Sequence, residues 1–222
     1  MTTATDLNLA ELNARFETAP AEDVIAWAHE TFGDKLVTLC AMTSDTALVD
    51  LLARRAEGAN VVFLETGHHF AETHEQVNAV HTRYEAKVNF STATSGLAPG
   101  TLWQTDPNAC CNARKVEPME AALAGNTAWI TGVRRADSEV RAGTPIVEID
   151  RRGMVKINPI ATWTDDDLET YLALHEVPRH PLLDNGYPSI GCEPCTRKVE
   201  LGEDIRAGRW AGKGKTECGL HL

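Results

Sequence analysis

The sequence predicts an α/β fold, a mostly parallel sheet with helices on both faces, and three observations carry that reading. Apolar runs at residues 35–42, 60–64 and 127–131 read as buried strands. Longer stretches between them place apolar residues at helical spacing. The alternation of the two is the pattern of β-α-β units, whose crossover helices cover a parallel sheet.

In chain order, Leu9, Leu12 and Phe16, then Val24, Ile25, Trp27 and Ala28, mark a helical stretch that Pro20 divides in two. The first strand is expected over 35–42. Thr43, Ser44 and Asp45 offer capping side chains to a helix carrying Ala47, Leu48, Leu51 and Leu52, and Gly58 closes that helix ahead of the second strand, 60–64. A helix over 70–84, a strand over 87–90, a helix from about 111 to 123 and a strand over 127–131 continue the alternation. Two further strands, 145–149 and 154–158, flank a turn at Gly153, and Thr164 opens a helix over 163–175 with three acidic residues in its first turn. Ligands of such sheets bind at the carboxyl ends of the strands, so residues 43–45, 65–69 and 132–135 are expected to line one crevice.

The 222 residues, 43% hydrophobic and 24% charged, suffice for one substantial core. A helical segment over 1–34, a nucleotide-binding α/β body over 35–204 and a mobile tail over 205–222 are read as parts of one domain. The 21 Lys and Arg against 32 Asp and Glu leave a net charge of −11, which disfavours nucleic acid and anionic bilayers as partners. No apolar run has the length of a membrane span, and residues 1–11 lack a signal pattern, so the chain is expected in the cytoplasm. The apolar helices near the N-terminus suit a homo-oligomer interface.

Six cysteines in a reducing compartment ask for a chemical explanation. Cys40 sits in an apolar run. Cys110-Cys111 and Cys192-Glu-Pro-Cys195 supply four thiolates in two compact groups, suited to an iron–sulfur cluster, a structural zinc or a redox pair. The adjacent pair favours the cluster, because neighbouring residues have difficulty turning both sulfurs onto one tetrahedral ion. Lys115, one turn past that pair, is placed to face both a cluster and an anion; Arg114, Arg197 and Lys198 fit a solvated surface equally well. Cys218 follows a stretch, 205–216, with Arg206, Arg209, Lys213 and Lys215 and no acidic residue, and such cations raise a thiol's thiolate fraction. Gly212, Gly214 and Gly219 make its tether flexible. His68, His69 and His74 do not share a helical metal face and read as site-edge residues, while Trp163 and Trp210 read as packing aromatics.

Together, Cys110-Cys111-Asn-Ala-Arg114-Lys115-Val-Glu-Pro118, Ser189-Ile-Gly-Cys192-Glu-Pro-Cys195-Thr-Arg197, Arg206-Ala-Gly-Arg209-Trp210 and Glu217-Cys218-Gly219-Leu220-His221 resemble the sulfonucleotide reductases, specifically the iron–sulfur branch that reduces adenylyl sulfate. Weaker support comes from Trp129-Ile-Thr-Gly132-Val-Arg134-Arg135. The resemblance implies an adenine nucleotide alpha-hydrolase-like fold related to pyrophosphate-loop enzymes. It further implies attack of Cys218 on adenosine 5′-phosphosulfate, release of AMP, and release of sulfite from a Cys218 S-sulfo intermediate by thioredoxin or a glutaredoxin-like donor. Cys110, Cys111, Cys192 and Cys195 would hold a 4Fe-4S cluster that is not itself cycled. Substrate contacts fall to Asp45, Thr66, Gly67, Lys115, Gly132, Arg134, Arg141, Arg206, Arg209 and His221. Met42 stands where the family's first-strand loop carries glycine, which argues against a positive φ there.

Two other classes remain open from the sequence. A cluster-bearing ATP-dependent thiolation enzyme would share the sheet but calls for a glycine-rich pyrophosphate loop and a basic face. A non-enzymatic iron–sulfur or zinc module would account for four cysteines and leave Cys218 without a role.

Overall fold

Two amphipathic helices open the chain, α1 (Leu9–Phe16) and α2 (Ala21–Phe32), with Asn8 capping the first and Pro20 standing before the second. The structure, a computed structural model, describes residues 7–215 and 217–220. The apolar stripe of these helices, Phe16, Val24, Ile25, Ala28 and Phe32, is buried in the main core. Asn13 ties α1 to the sheet: its Nδ2 donates to Val147 O at 2.8 Å, and its Oδ1 accepts from Ile146 N at 2.8 Å and Val147 N at 3.0 Å. The outward backbone groups of Val147 at the sheet edge are thus satisfied by a side chain.

The alternation then runs β1 (Leu36–Cys40), α3 (Thr46–Arg55), β2 (Asn60–Glu65), α4 (Ala71–Tyr84) and β3 (Asn89–Thr94). Gly58, at φ 82°, makes the turn into β2 as its lack of a side chain allows. The third strand begins later than the expected 87–90, because Lys87 N and Val88 N still donate to Tyr84 O in the turn that ends α4. It continues through polar Ser91–Thr94 because it is an edge strand, with one neighbour and solvent beyond.

The helix expected from about 111 starts earlier. Asp106 caps Ala109 N at 2.9 Å and Pro107 takes the first helical position, so α6 (Pro107–Cys111) follows the short α5 (Leu102–Thr105). A π-helical turn, Asn112–Val116, joins α6 to α7 (Glu117–Leu123), and such turns concentrate at functional sites. The chain closes with β4 (Ala128–Ile130), β5 (Val147–Ile149), β6 (Val155–Ile157) and α8 (Asp165–Leu174). Thr164 and Asp167 form the capping box of α8.

The six strands lie in the order β3-β2-β1-β4-β6-β5, parallel except for β5. The chain progresses outward from β1 through β2 to β3 and then returns to place β4 on the other side of β1. That reversal opens a crevice beyond the carboxyl ends of β1 and β4.

Candidate active site

The floor of the crevice is the loop after β1. Asp45 does not cap α3 as the sequence suggests; its carboxylate accepts from Ala41 N at 2.6 Å and Thr43 N at 3.0 Å and folds the loop back on itself. Burial raises the Asp45 pKa, with these amide donors opposing. Met42 takes φ 57° in spite of its side chain, which is only 1% exposed. The absence of glycine therefore did not prevent the positive φ: burial of the thioether chain and the two bonds to Asp45 hold a conformation that would otherwise be strained. Gly132, after β4, lets the two loops meet, since a Cβ there would stand 2.5 Å from the Cβ of Asp45. Glycine at this position thus permits a close approach of protein to protein at the edge of the cavity that it lines.

A cavity of about 350 Å³ fills the crevice, a size suited to a nucleotide-sized ligand. Asp45, Thr66, Lys115, Gly132, Arg134, Arg141, Arg206, Arg209 and Cys218 all line it. Residues brought together from five regions of the sequence thus share one wall-to-wall space. Gly67 is not among the lining residues; it turns the chain at φ 72°, close under Arg114. His221 lies outside the described residues.

The arginines are held differently. Arg134, 5% exposed, pairs with Asp137 at 2.9 Å and Asp165 at 2.8 Å, and its Nη1 is buried without a hydrogen-bond partner. Arg135 points elsewhere, to Glu17 and the carbonyl of Thr144. Arg141 pairs with Asp137 at 3.0 Å and with Glu217 at 3.1 Å. Arg206 meets the other oxygen of Glu217 at 3.2 Å. Arg209 donates to Ile190 O at 2.9 Å and Ser189 Oγ at 3.2 Å, with its guanidinium 4.5 Å from the Trp210 ring centre. Burial and then the Arg206 charge lower its pKa. Gly191 makes room for it, since a Cβ there would collide with the guanidinium.

The described part of the tail lies against the body. Trp210 N donates to Cys195 O at 2.9 Å, Lys213 Nζ to Trp103 O at 2.7 Å and Lys215 Nζ to Asn108 Oδ1 at 2.7 Å. These contacts set Cys218 into the cavity between β1, β4 and the π-helical turn.

Cys110, Cys111, Cys192 and Cys195 surround a second, much smaller cavity, joined by His68, Arg114, Lys115 and Trp210. All are free thiols. Burial, then Cys111 and Cys192, raise the Cys110 pKa. Among the described residues no three His, Cys, Asp or Glu side chains converge as a single metal ion requires. A four-iron cluster makes a different demand, one thiolate at each of four separated corners, and four thiols around a cavity fit it. Cys40, by contrast, is buried, and burial and then the Asp45 charge push its thiol well above the usual range, which disfavours the thiolate.

Lys115 is buried between the two cavities. Burial opposes its charge most strongly and Arg209 adds to that, but the surrounding cysteines Cys192, Cys218 and Cys111 favour the charge, and its pKa is raised on balance. Arg114, open to a surface reading in the sequence, is 6% exposed and donates to the carbonyls of Thr66, Leu97 and Ala98. Thr66 Oγ1 in turn accepts from Cys192 Sγ at 3.4 Å. Arg197 is a surface residue paired with Glu203. Sequence reasoning missed Glu217, whose adjacency to Cys218 and charge opposite to the nearby arginines were the available signal.

The family model for the phosphoadenosine phosphosulfate reductase domain matches residues 35–198. A protein from Streptomyces coelicolor named adenosine 5′-phosphosulfate reductase is 48% identical, covering 96% of this chain and 93% of its own. A Bacillus subtilis protein named adenosine 5′-phosphosulfate reductase 2 is 43% identical over 90% of this chain and 88% of its own. Among solved structures, a phosphoadenylyl-sulfate reductase from Candida auris, in a phosphate complex, matches with a TM-score of 0.75 and 25% identity over 86% of this chain and 96% of its own. The FMN adenylyltransferase of Candida glabrata shares the fold alone, with a TM-score of 0.59 and 13% identity over 83% of this chain and 66% of its own.

Proposed function

The chain belongs to the phosphoadenosine phosphosulfate reductase family, and on that premise we propose that it is an oxidoreductase converting adenosine 5′-phosphosulfate to sulfite and AMP. The observation that carries the reading is Cys218 lining the same cavity as Lys115, Arg206, Arg209 and the loops after β1 and β4. Neither a thiolation enzyme nor a binding module gives that thiol a task.

In the proposed reaction the nucleotide occupies the crevice at the β1 and β4 loops, with its phosphosulfate toward the basic wall. Arg134, with an unpartnered Nη1, and Arg209 bind anionic oxygens, and buried Lys115 offsets their charge. The Cys218 thiolate attacks the sulfur of the substrate. The new S–S bond forms as the bond from sulfur to the bridging phosphate oxygen breaks, and AMP departs with that electron pair. A thiolate of a dithiol donor of the thioredoxin or glutaredoxin class then attacks Cys218 Sγ. Sulfite leaves with the S–S electron pair, and the donor's second thiol resolves the mixed disulfide, restoring Cys218. The two electrons that reduce the sulfur come from the donor, which ends as a disulfide.

Cys110, Cys111, Cys192 and Cys195 would hold the 4Fe-4S cluster, which when bound fixes the two cysteine segments to each other beside Lys115. Relatives named for adenosine 5′-phosphosulfate support a preference for the substrate without a 3′-phosphate.

The test is an anaerobic preparation incubated with adenosine 5′-phosphosulfate and read by intact mass. The expected result is one added SO₃ per chain, absent in Cys218→Ser and removed by reduced thioredoxin. A Cys218→Ser protein that still produced sulfite would overturn the assignment. Iron and acid-labile sulfide in equal amounts support the cluster, whereas zinc would replace it.

A further inference from the structure

Cys218 is preceded by a carboxylate that the cavity already holds. Glu217 Oε2 accepts from Arg141 Nη2 at 3.1 Å, while Glu217 Oε1 faces Arg206 Nη2 at 3.2 Å. The three side chains are 13%, 16% and 16% exposed, so this bridge is sheltered from solvent. Two guanidiniums closing on a pair of oxygens is also the arrangement by which arginines take phosphate or sulfate. Both arginines line the cavity in which the nucleotide is placed above.

We propose that Glu217 is an internal occupant of the substrate's anion subsite: its carboxylate holds Arg141 and Arg206 in the free protein and is displaced when the phosphosulfate oxygens take them. The inference rests on the reading of this cavity as a sulfonucleotide site. Arg141 keeps Asp137 at 3.0 Å when Glu217 leaves, so the exchange replaces one anion by another at these arginines. With substrate bound, a third anion in the same place is repelled, so carboxylate and substrate alternate.

The tail need not leave for this exchange. Its upstream anchors, Trp210 on Cys195, Lys213 on Trp103 and Lys215 on Asn108, do not involve Glu217. Gly214 and Gly219 flank the segment at φ 60° and 85° and permit a local pivot. Displacement of Glu217 therefore swings Cys218 within the cavity and couples arrival of the anion to movement of the thiol. Glu217 is thus a positioning residue and a competitor at once.

The test uses the anaerobic full-length protein and its Glu217→Gln variant, with calorimetric binding of AMP, and of adenosine 5′-phosphosulfate in a Cys218→Ser background. Loss of the carboxylate charge is expected to tighten binding of at least one of these about fivefold or more, and to speed alkylation of Cys218 by iodoacetamide in the ligand-free protein. Glu217→Asp, which keeps the charge, is expected to restore the slower alkylation. Parent and Glu217→Gln proteins binding both nucleotides equally, or the variant binding them more weakly, would overturn the proposal alone. No nucleotide binding by the parent protein would overturn the underlying reading and the proposal with it.

Discussion

Asp45 and Gly132 stand so close that one methyl group does not fit between them: a Cβ on Gly132 would lie 2.5 Å from the Cβ of Asp45 and 3.4 Å from a methyl of Leu48. A Cβ is the least movable part of a side chain, so a clash there must be relieved by the backbone. Gly132→Ala is expected to cost about 1–3 kcal/mol, in the range of overpacked cores. It should also push the β1 loop away from its two bonds to Asp45. Binding of AMP should weaken more than stability does, because the displaced loop is the floor of the cavity. Denaturation midpoints and calorimetry on the same preparation separate the two; an alanine variant with wild-type affinity would show that the loop gives way without consequence.

Met42 sets strain against burial, and the balance can be read by two variants. Glycine relieves the φ of 57°, a conformation costing about 1–3 kcal/mol in other residues, but removes a side chain that is 1% exposed. Alanine removes nearly as much buried surface and keeps the strain. Truncating a buried Met to Ala costs about 2–5 kcal/mol. Met42→Ala is therefore expected to be the less stable of the two, with Met42→Gly intermediate between it and the parent. The reverse order in chemical denaturation would mean that the backbone at this position is unstrained.

What was legible in the sequence was what local chemistry decides. Pro20 divides two helices, Gly58 turns the chain, and Thr164 with Asp167 caps a helix, all from neighbours within four residues. The four clustered cysteines and Cys218 announced themselves by residue type, and the mostly parallel sheet needed only the alternation of elements. Distance in sequence hid the rest. The strand beginning at Asn89 was placed too early because its outer half is polar, as an edge allows. Asp45 looks like a helix cap until the loop folds back onto it. Arg114 looks solvated until carbonyls from residues 66, 97 and 98 converge on it. Met42 shows the converse, a side chain whose burial overrides a backbone preference that sequence alone expresses.

That convergence makes Arg114 a structural clamp between the turn after β2, the loop before α5 and the cysteine-bearing segment. Its replacement by alanine leaves three carbonyls without a charged donor, for which about 3 kcal/mol is expected. Lysine keeps the charge but not the fork, so Arg114→Lys should recover only part of the loss. The loop over 95–101 should become a site of limited proteolysis in both variants, since its carbonyls are what the guanidinium holds. Unchanged proteolysis together with a loss under about 0.5 kcal/mol would remove Arg114 from the frame of the site.

A pH dependence of stability is expected from His180, which is fully buried against α4 with its Nε2 3.0 Å from Thr73 Oγ1 and its Nδ1 accepting from Leu182 N at 3.2 Å. Both nitrogens are satisfied only by the neutral ring. Burial pushes its pKa down to about 4, Glu72 opposing and His69 adding to the shift. An unfolded histidine titrates near ~6.5, so below that pH the unfolded chain binds a proton that the folded chain refuses until about 4. Stability is therefore lost as pH falls through this window and the loss levels off beneath it. Between about pH 7 and pH 5 the contribution comes to roughly 2 kcal/mol. His180→Gln retains donor and acceptor atoms without a titrating ring, so its denaturation midpoint should fall less over the same interval, although it starts lower at neutral pH. Parallel midpoint curves for the two proteins would place the acid sensitivity elsewhere in the fold.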